Sequence, residues 1–309
     1  MRSSSLPKPW ARKSAAVLAS LVAILGASAT VFAATSAPAT PARVGYDADP
    51  YRQVNITSQA AIESVRQIAG VTQTPLGSHN AVQVTNTSDL VATGPFDGAL
   101  FRYYKVSGSG VQATVDVNDG HVSQLLLLQQ MPKSSCSTSL TADQADAVAS
   151  SFLASRSVST DGLTASVSAK NGGDVQSFDV SWQRVVNGVE VPDSRLVELD
   201  ACQGIVFNMY NIRRPYSAPP TPLVGHDQAS SLAEHAVQAL VSPTGSGVQP
   251  LVPFKLVDAR LQLGFDAAGA QQLLWSIQLG ADGGHGYSNY YFVTVDAMSG
   301  SAAVSDVGM

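Results

Sequence analysis

Three stretches of this chain share one pattern: ATVDVNDGHVSQL at 113–125, VELDACQGIVFNM at 197–209 and VTVDAMSGSAAVS at 293–305. In each, an alternating apolar run ends in aspartate and a glycine follows four residues later, giving Asp116/Gly120, Asp200/Gly204 and Asp296/Gly300. Alternation with a period of two is the signature of a half-buried strand. Aspartate at a strand end accepts hydrogen bonds from amides two residues on, and glycine supplies the left-handed backbone that closes a tight turn. The residues between them, VND, ACQ and AMS, share no chemistry. The three aspartates therefore read as hairpin corners, since no histidine, cysteine or second acid repeats with them.

Each corner is preceded at some distance by one amphipathic helix. SQAAIESVRQIAG puts Ile62, Val65, Ile68 and Ala69 on one face, with Gly70 as a stop signal. TADQADAVASSFLASR spaces Ala145, Val148, Ala149, Phe152 and Leu153 helically, with Thr141 and Gln144 in capping-box relation. DQASSLAEHAVQALV offers Asp227 as N-cap and Leu232, Ala233, Ala236, Val237 and Leu240 as a buried stripe. Aromatic-bearing strands lie between helix and corner: ALFRYYKV, FDVSWQRVV and LLWSIQL. Asn187-Gly188 is the strongest short hairpin signal of the chain. Helix followed by antiparallel strands predicts an α+β class: three tandem units, each one helix packed on its own antiparallel sheet. The expected bounds are 51–131, 141–210 and 225–309, with a Pro-rich linker at 211–224.

These residues carry a family resemblance. The leading helix, the strand SWQRVVNGVEV and the closing VELDACQGIV or VTVDAMSGSAAV resemble the PepSY domain family and the propeptide domains that precede thermolysin-like metallopeptidases. The likeness is best over 141–210, fair over 227–305 and weakest over 58–128, so the chain reads as three degenerate copies. The resemblance implies a cystatin-like fold, an extracytoplasmic location and a role in restraining or assisting peptidases. It implies no catalytic residues. No peptidase domain follows Gly300 in this sequence, so the expected action on a peptidase is in trans.

Location is also read from the N-terminus. Arg2, Lys8, Arg12 and Lys13 precede the apolar run SAAVLASLVAILGASATVFAA, and no acidic residue occurs before Asp47. Residues 1–33 are read as a secretory signal cleaved before Ala34 or as a retained membrane anchor; 34–50 form an Ala/Pro/Thr spacer. Either way the remainder lies outside the cytoplasm, and the membrane is met only through this segment. Losing the four basic residues of 1–33 leaves 14 of 18 against 23 acidic ones, a formal charge of −9. That balance argues against nucleic acid as a partner, because phosphate neutralisation by basic side chains supplies most of such affinity. In an oxidising compartment the two cysteines, Cys136 and Cys202, are expected to form one disulfide, contributing about 4 kcal/mol through loop entropy.

Nothing in the sequence assembles a catalytic or metal site. The histidines are His79, His121, His226, His235 and His285, and none sits in HExxH. No GxSxG elbow and no phosphate-loop context is present. Glu190, Asp193 and Glu198 read as a solvated acidic face. Tyr103, Tyr104, Trp182, Trp275, Tyr290 and Tyr291 read as core filling, some of them as a protein-binding surface; SNYYFVTV is a candidate edge strand open to strand addition by a partner. The expectation is an exported non-enzymatic protein without cofactor, acting on a protein partner such as a peptidase or other envelope protein. The alternative is a tethered extracytoplasmic sensor or ligand-binding module, and an uncharacterised hydrolase stands third.

Overall fold

The computed structural model describes residues 50–76, 80–82, 87–98, 100–108, 110–131, 139–172, 175–241, 254–266, 268–282 and 288–308. The segment read as a signal or anchor, 1–33, and almost all of that read as a spacer, 34–50, lie outside these residues, as do Cys136, His79 and His285. No helix of the described residues is long and apolar enough to cross a membrane.

Helix α1 (Ser58–Ala69) is followed by strands β1 (Val91–Asp97), β2 (Arg102–Gly108), β3 (Val111–Asp116) and β4 (Val122–Leu127). Helix α2 (Ala142–Ala154) is followed by β5 (Thr164–Gly172), β6 (Val175–Val186), β7 (Val189–Asp200) and β8 (Val206–Arg213). Helix α3 (His226–Val241) is followed by β9 (Phe254–Phe265), β10 (Gln271–Asp282), β11 (Ser288–Asp296) and β12 (Ala302–Gly308).

Local chemistry sets the helix starts. Thr57 caps α1 by accepting from the Ala60 amide at 3.2 Å. Thr141 and Gln144 close the reciprocal capping box of α2, at 3.2 and 2.9 Å. Helix α3 begins two residues earlier than an Asp227 N-cap implies, at His226, so Asp227 sits in the first turn and favours the positive helix end from there. Its stripe also differs: Ala229, Ala233 and Val237 are buried, whereas Leu240 is exposed.

The expectation of three tandem units, each with its own sheet, is overturned by the strand pairing. All twelve strands form one mixed sheet in the order β1-β2-β3-β4-β8-β7-β9-β10-β11-β12, with β5 and β6 branching from β7. The joining pairs are β4 with β8, antiparallel through Gln124↔Tyr210, and β7 with β9, parallel at Glu190↔Gln262. An unpaired strand edge is a template for another strand. Here the edges that separate units would have left open are joined to one another.

Strand β7 is the hub. Its C-terminal half pairs β8 on one side and β6 on the other, while Glu190 near its N-terminal end reaches β9. The Asn187-Gly188 turn, with φ of 52° and 80°, joins β6 to β7 through the Val186↔Val189 pair. The segment read as a linker is partly strand, since Asn211, Ile212 and Arg213 belong to β8. Beyond it the chain is tied down: Ser217 exchanges hydrogen bonds with Gln271, and Arg214 donates to the Leu100 carbonyl and stacks 3.7 Å over Phe265.

Helices α1 and α2 rest on a common core that includes Val65, Leu125, Phe152, Leu153, Leu199 and Met209. Helix α3 covers a separate one with Ile277, Leu279, Val293 and Val295. A small seam of Val189, Val191, Leu263, Leu273 and Ala297 lies where β7 meets β9.

Candidate functional site

The structure places the three aspartates in equivalent corners. The Asp116, Asp200 and Asp296 amides donate to the carbonyls of His121, Ile205 and Ser301 at 3.0, 2.9 and 2.8 Å. The Gly120, Gly204 and Gly300 amides return to the aspartate carbonyls at 3.0, 3.0 and 2.9 Å. These glycines have φ of 77°, 70° and 76°, the left-handed region that other residues enter at a cost. The carboxylates accept turn amides: Asn118 on Asp116, Cys202 and Gln203 on Asp200, Met298 and Ser299 on Asp296. The next residue in each corner gives its carbonyl to the chain just ahead of a helix: Val117 to Asn55 and Ile56, Ala201 to Leu140, Ala297 to Leu223 and Val224. Each corner thus ties a hairpin to a helix entry. Cys202, in the second corner, has no free thiol.

The first corner carries extra charge that the sequence reading missed. Asp116, Asp119 and His121 bring potential metal-ligand atoms within 4.8 Å of one another. Asp119 is already engaged, by the His121 ring at 2.5 Å and by Arg213 at 3.3 Å. Burial pushes the Asp116 carboxyl up to about 6, against the Asn118 amide and the charges of His121 and Arg214, which pull it down. Burial also acts upward on Asp119, but the hydrogen bond and charge of His121, with Arg213, outweigh it and hold that carboxyl at about 2. At the third corner, the Ser299 and Met298 amides hold Asp296 below the usual carboxylate range. Two carboxylates and an imidazole suit a divalent cation, yet an arginine occupies one of these oxygens, so the cluster reads as an ion-pair network.

The remaining candidates are placed as follows. His226 contacts Asp227 and meets Trp275 edge-on, and His235 is exposed. Tyr104, Trp182 and Tyr291 are buried and the other named aromatics half-buried, so they present no exposed aromatic surface. SNYYFVTV is not an edge: it lies in β11, paired by β10 and β12. Glu190, Asp193 and Glu198 do not form a solvated face. Asp193 accepts from Arg184 and Arg195 at 2.5 and 2.9 Å, and Glu198 accepts from Lys170 at 3.0 Å and Asn208 at 2.6 Å. Lys170 also pairs with Asp179 at 2.7 Å. Burial pushes the Asp179 carboxyl up to about 6 in spite of that lysine.

A cavity of about 270 Å³ lies at the seam, where β7 leaves β8 and meets β9. Pro192 stands at this parting, and its carbonyl accepts from the Arg214 amide at 2.9 Å. The floor is apolar, with Leu100, Val191, Ile212 and Leu263 among its residues, and the first strand of its wall is β5. Glu190, Arg195 and Arg260 are the charged residues of the lining. Arg195 is buried and its Nη1 donates to Asp193, the Ser194 carbonyl and the Ile212 carbonyl, each at 2.9 Å. Arg260 bonds Asp258 at 2.6 Å and stands 3.8 Å from Glu190. Burial holds the Glu190 carboxyl above its ordinary range, with Arg260 pulling down and Asp258 pushing up. The Ser166 and Ser181 hydroxyls bond each other at 2.8 Å, and no histidine is among the lining residues. No local pattern announces the cavity, because its walls come from five strands, β5 to β9, and from Leu100.

A second surface feature adjoins it. Strand β5 pairs only with β6 among the described residues, and its register from Thr164↔Gln183 to Gly172↔Val175 runs without a shift. It contains no proline, and its one lysine, Lys170, is turned to Asp179 and Glu198. The end strand β1, by contrast, has Pro95 and a register irregularity between Thr93 and Phe96. Proline, bulges and outward lysines are the usual guards of a strand edge. Strand β5 lacks them.

Neither a family model nor a curated protein matches this chain. Among solved structures, the Bacillus megaterium YpeB C-terminal domain is similar at a TM-score of 0.38 and 13% identity, over 82% of this chain and 97% of that one. A likeness that distant transfers neither fold nor function.

Proposed function

We propose that the protein is a non-catalytic, extracytoplasmic interaction module of PepSY-like character that acts on a peptidase or another envelope protein in trans. The observation that supports it best is the unguarded edge of β5, nine residues long and regular in register. A partner segment added there gains main-chain hydrogen bonds along its length, while alternate side chains set specificity. The location and the peptidase rest on the signal-like N-terminus and on the family resemblance of the corner and helix motifs. The test is a crosslinking pull-down with residues 34–309, beside the Ala169→Lys variant, which places a charge on an exposed β5 position outside the cavity lining. An envelope protein captured by the natural chain and lost in the variant is the expected result, followed by altered peptidase activity in its presence. Equal capture by both chains, or none by either, overturns the reading.

The seam cavity favours a second reading, a ligand-binding or sensing module. Its apolar floor, bordered by polar and charged side chains, is what small-molecule sites share.

A further inference from the structure

The seam cavity has one charge without a hydrogen-bonding partner. Arg195 donates through Nη1 to Asp193 and two carbonyls, and its unpartnered Nε is buried. Arg260 directs its Nε to Asp258. No hydrogen bond reaches the Glu190 carboxylate among the described residues, and its nearest cation is 3.8 Å away, beyond hydrogen-bond distance. An ionised carboxylate can accept several donors, and leaving it half-desolvated without them is costly. Leu100, Val191, Ile212 and Leu263 offer only apolar surface alongside.

We propose that this cavity binds a small primary amine with an apolar body, Glu190 serving as its counter-ion and hydrogen-bond acceptor. The proposal rests on the second reading above and is independent of the β5 edge. The volume of about 270 Å³ corresponds to roughly nine water molecules, the size of an arylalkylamine. An ammonium group brings three donors to a carboxylate that has no hydrogen bond among the described residues, and a positive charge closer than that of Arg260 at 3.8 Å. A carboxylate ligand would meet Glu190 as a like charge, beside an Arg260 that already faces Asp258 and Glu190. Because burial raises the Glu190 carboxyl, amine binding strengthens as pH rises through that carboxyl's titration.

Calorimetric titration of the chain with three probes of one shape separates the chemistries: 2-phenylethylamine, 2-phenylethanol and phenylacetate. The amine is expected to bind at least tenfold tighter than the alcohol, and phenylacetate weakest. Glu190→Gln should abolish the preference for amine and leave alcohol binding unchanged, which also reports an intact cavity. Should Glu190→Gln unfold, Arg260→Gln supplies the test, since removing the nearest competing cation should tighten the amine. Equal binding of amine and alcohol, preference for phenylacetate, or a weaker amine in Arg260→Gln overturns the proposal. So does the absence of binding by any probe. A failed pull-down bears on the β5 edge and leaves this titration untouched.

Discussion

The core beneath α1 and α2 differs from the core beneath α3 in how it is bounded. The first is continuous across two helices, and polar ties reinforce it. Gln73 presents its side-chain amide to β8 as a strand would, exchanging hydrogen bonds with both the amide and the carbonyl of Val206 at 3.0 Å. Arg156, at the end of α2, donates to the Val71 carbonyl just beyond α1. The second core stops at the seam, where a single parallel bridge, five buried residues and the side-chain ties of Arg214, Gln271 and Arg260 join it to the rest. Similar helix-and-strand segments are thus fused on one side of β7 and only docked on the other. What separates the two outcomes is how many residues cross the boundary.

The largest test of this difference is cavity creation in each core. Leu199→Ala should cost about 3 kcal/mol and remove amide-exchange protection from α1 and α2 together, since Leu199 is fully buried in their common core. Ile277→Ala should cost a similar amount, but lose protection in α3 and β9 to β12 first. Equal loss in all three helices from either change would break the comparison. Next comes Gly204→Ala, at about 2 kcal/mol in urea unfolding. Its φ is 70°, and an added Cβ would stand 3.2 Å from Leu140. Gly120→Ala carries the same backbone strain but a nearest contact of 3.6 Å, so about 1 kcal/mol is expected.

The corners also predict opposite pH behaviour. Asp116 has a folded pKa raised to about 6, so its contribution is full below the unfolded value of 3.8 and is lost as pH rises through 6. Asp116→Asn keeps an acceptor for the Asn118 amide and should gain about 1–2 kcal/mol at pH 7 relative to its effect at pH 4. Asp296 is shifted down, so its contribution is present above 3.8 and lost on acidification. Asp296→Asn should therefore lower the melting temperature at pH 7 and matter less in acid. Parallel pH profiles for the two variants would show that the corners are electrostatically alike. The smallest effect belongs to Arg213→Ala, at about 0.5 kcal/mol, because its pair with Asp119 is half-exposed on both sides.

Much of the local structure was legible. The period of the apolar residues and the Thr141/Gln144 box mark α2, and Asn187-Gly188 marks the β6–β7 turn, because these signals act within a few residues. The corner pattern is readable for the same reason. Strand pairing across the sheet was not: Gln124 and Tyr210 face each other from 86 positions apart, and neither carries a mark of the other. This also explains why SNYYFVTV looked like an edge and why Glu198 looked solvated. Edge and burial are properties of what arrives alongside, and the sequence of a strand describes only its own two faces. The seam cavity is further still from local signal, since Glu190 is distinguished by the donors that are missing around it.

The pairing of β4 with β8 has a consequence for the order in which the chain is made. Strand β4 emerges with one side matched to β3, and its partner on the other side follows about 86 residues later. At roughly 5–20 residues per second of synthesis, that side stays bare for roughly 4–17 s in a chain that folds as it appears. Strands β5, β6 and β7 are all complete before β8, so the molecule's central join is closed late and from the middle outward.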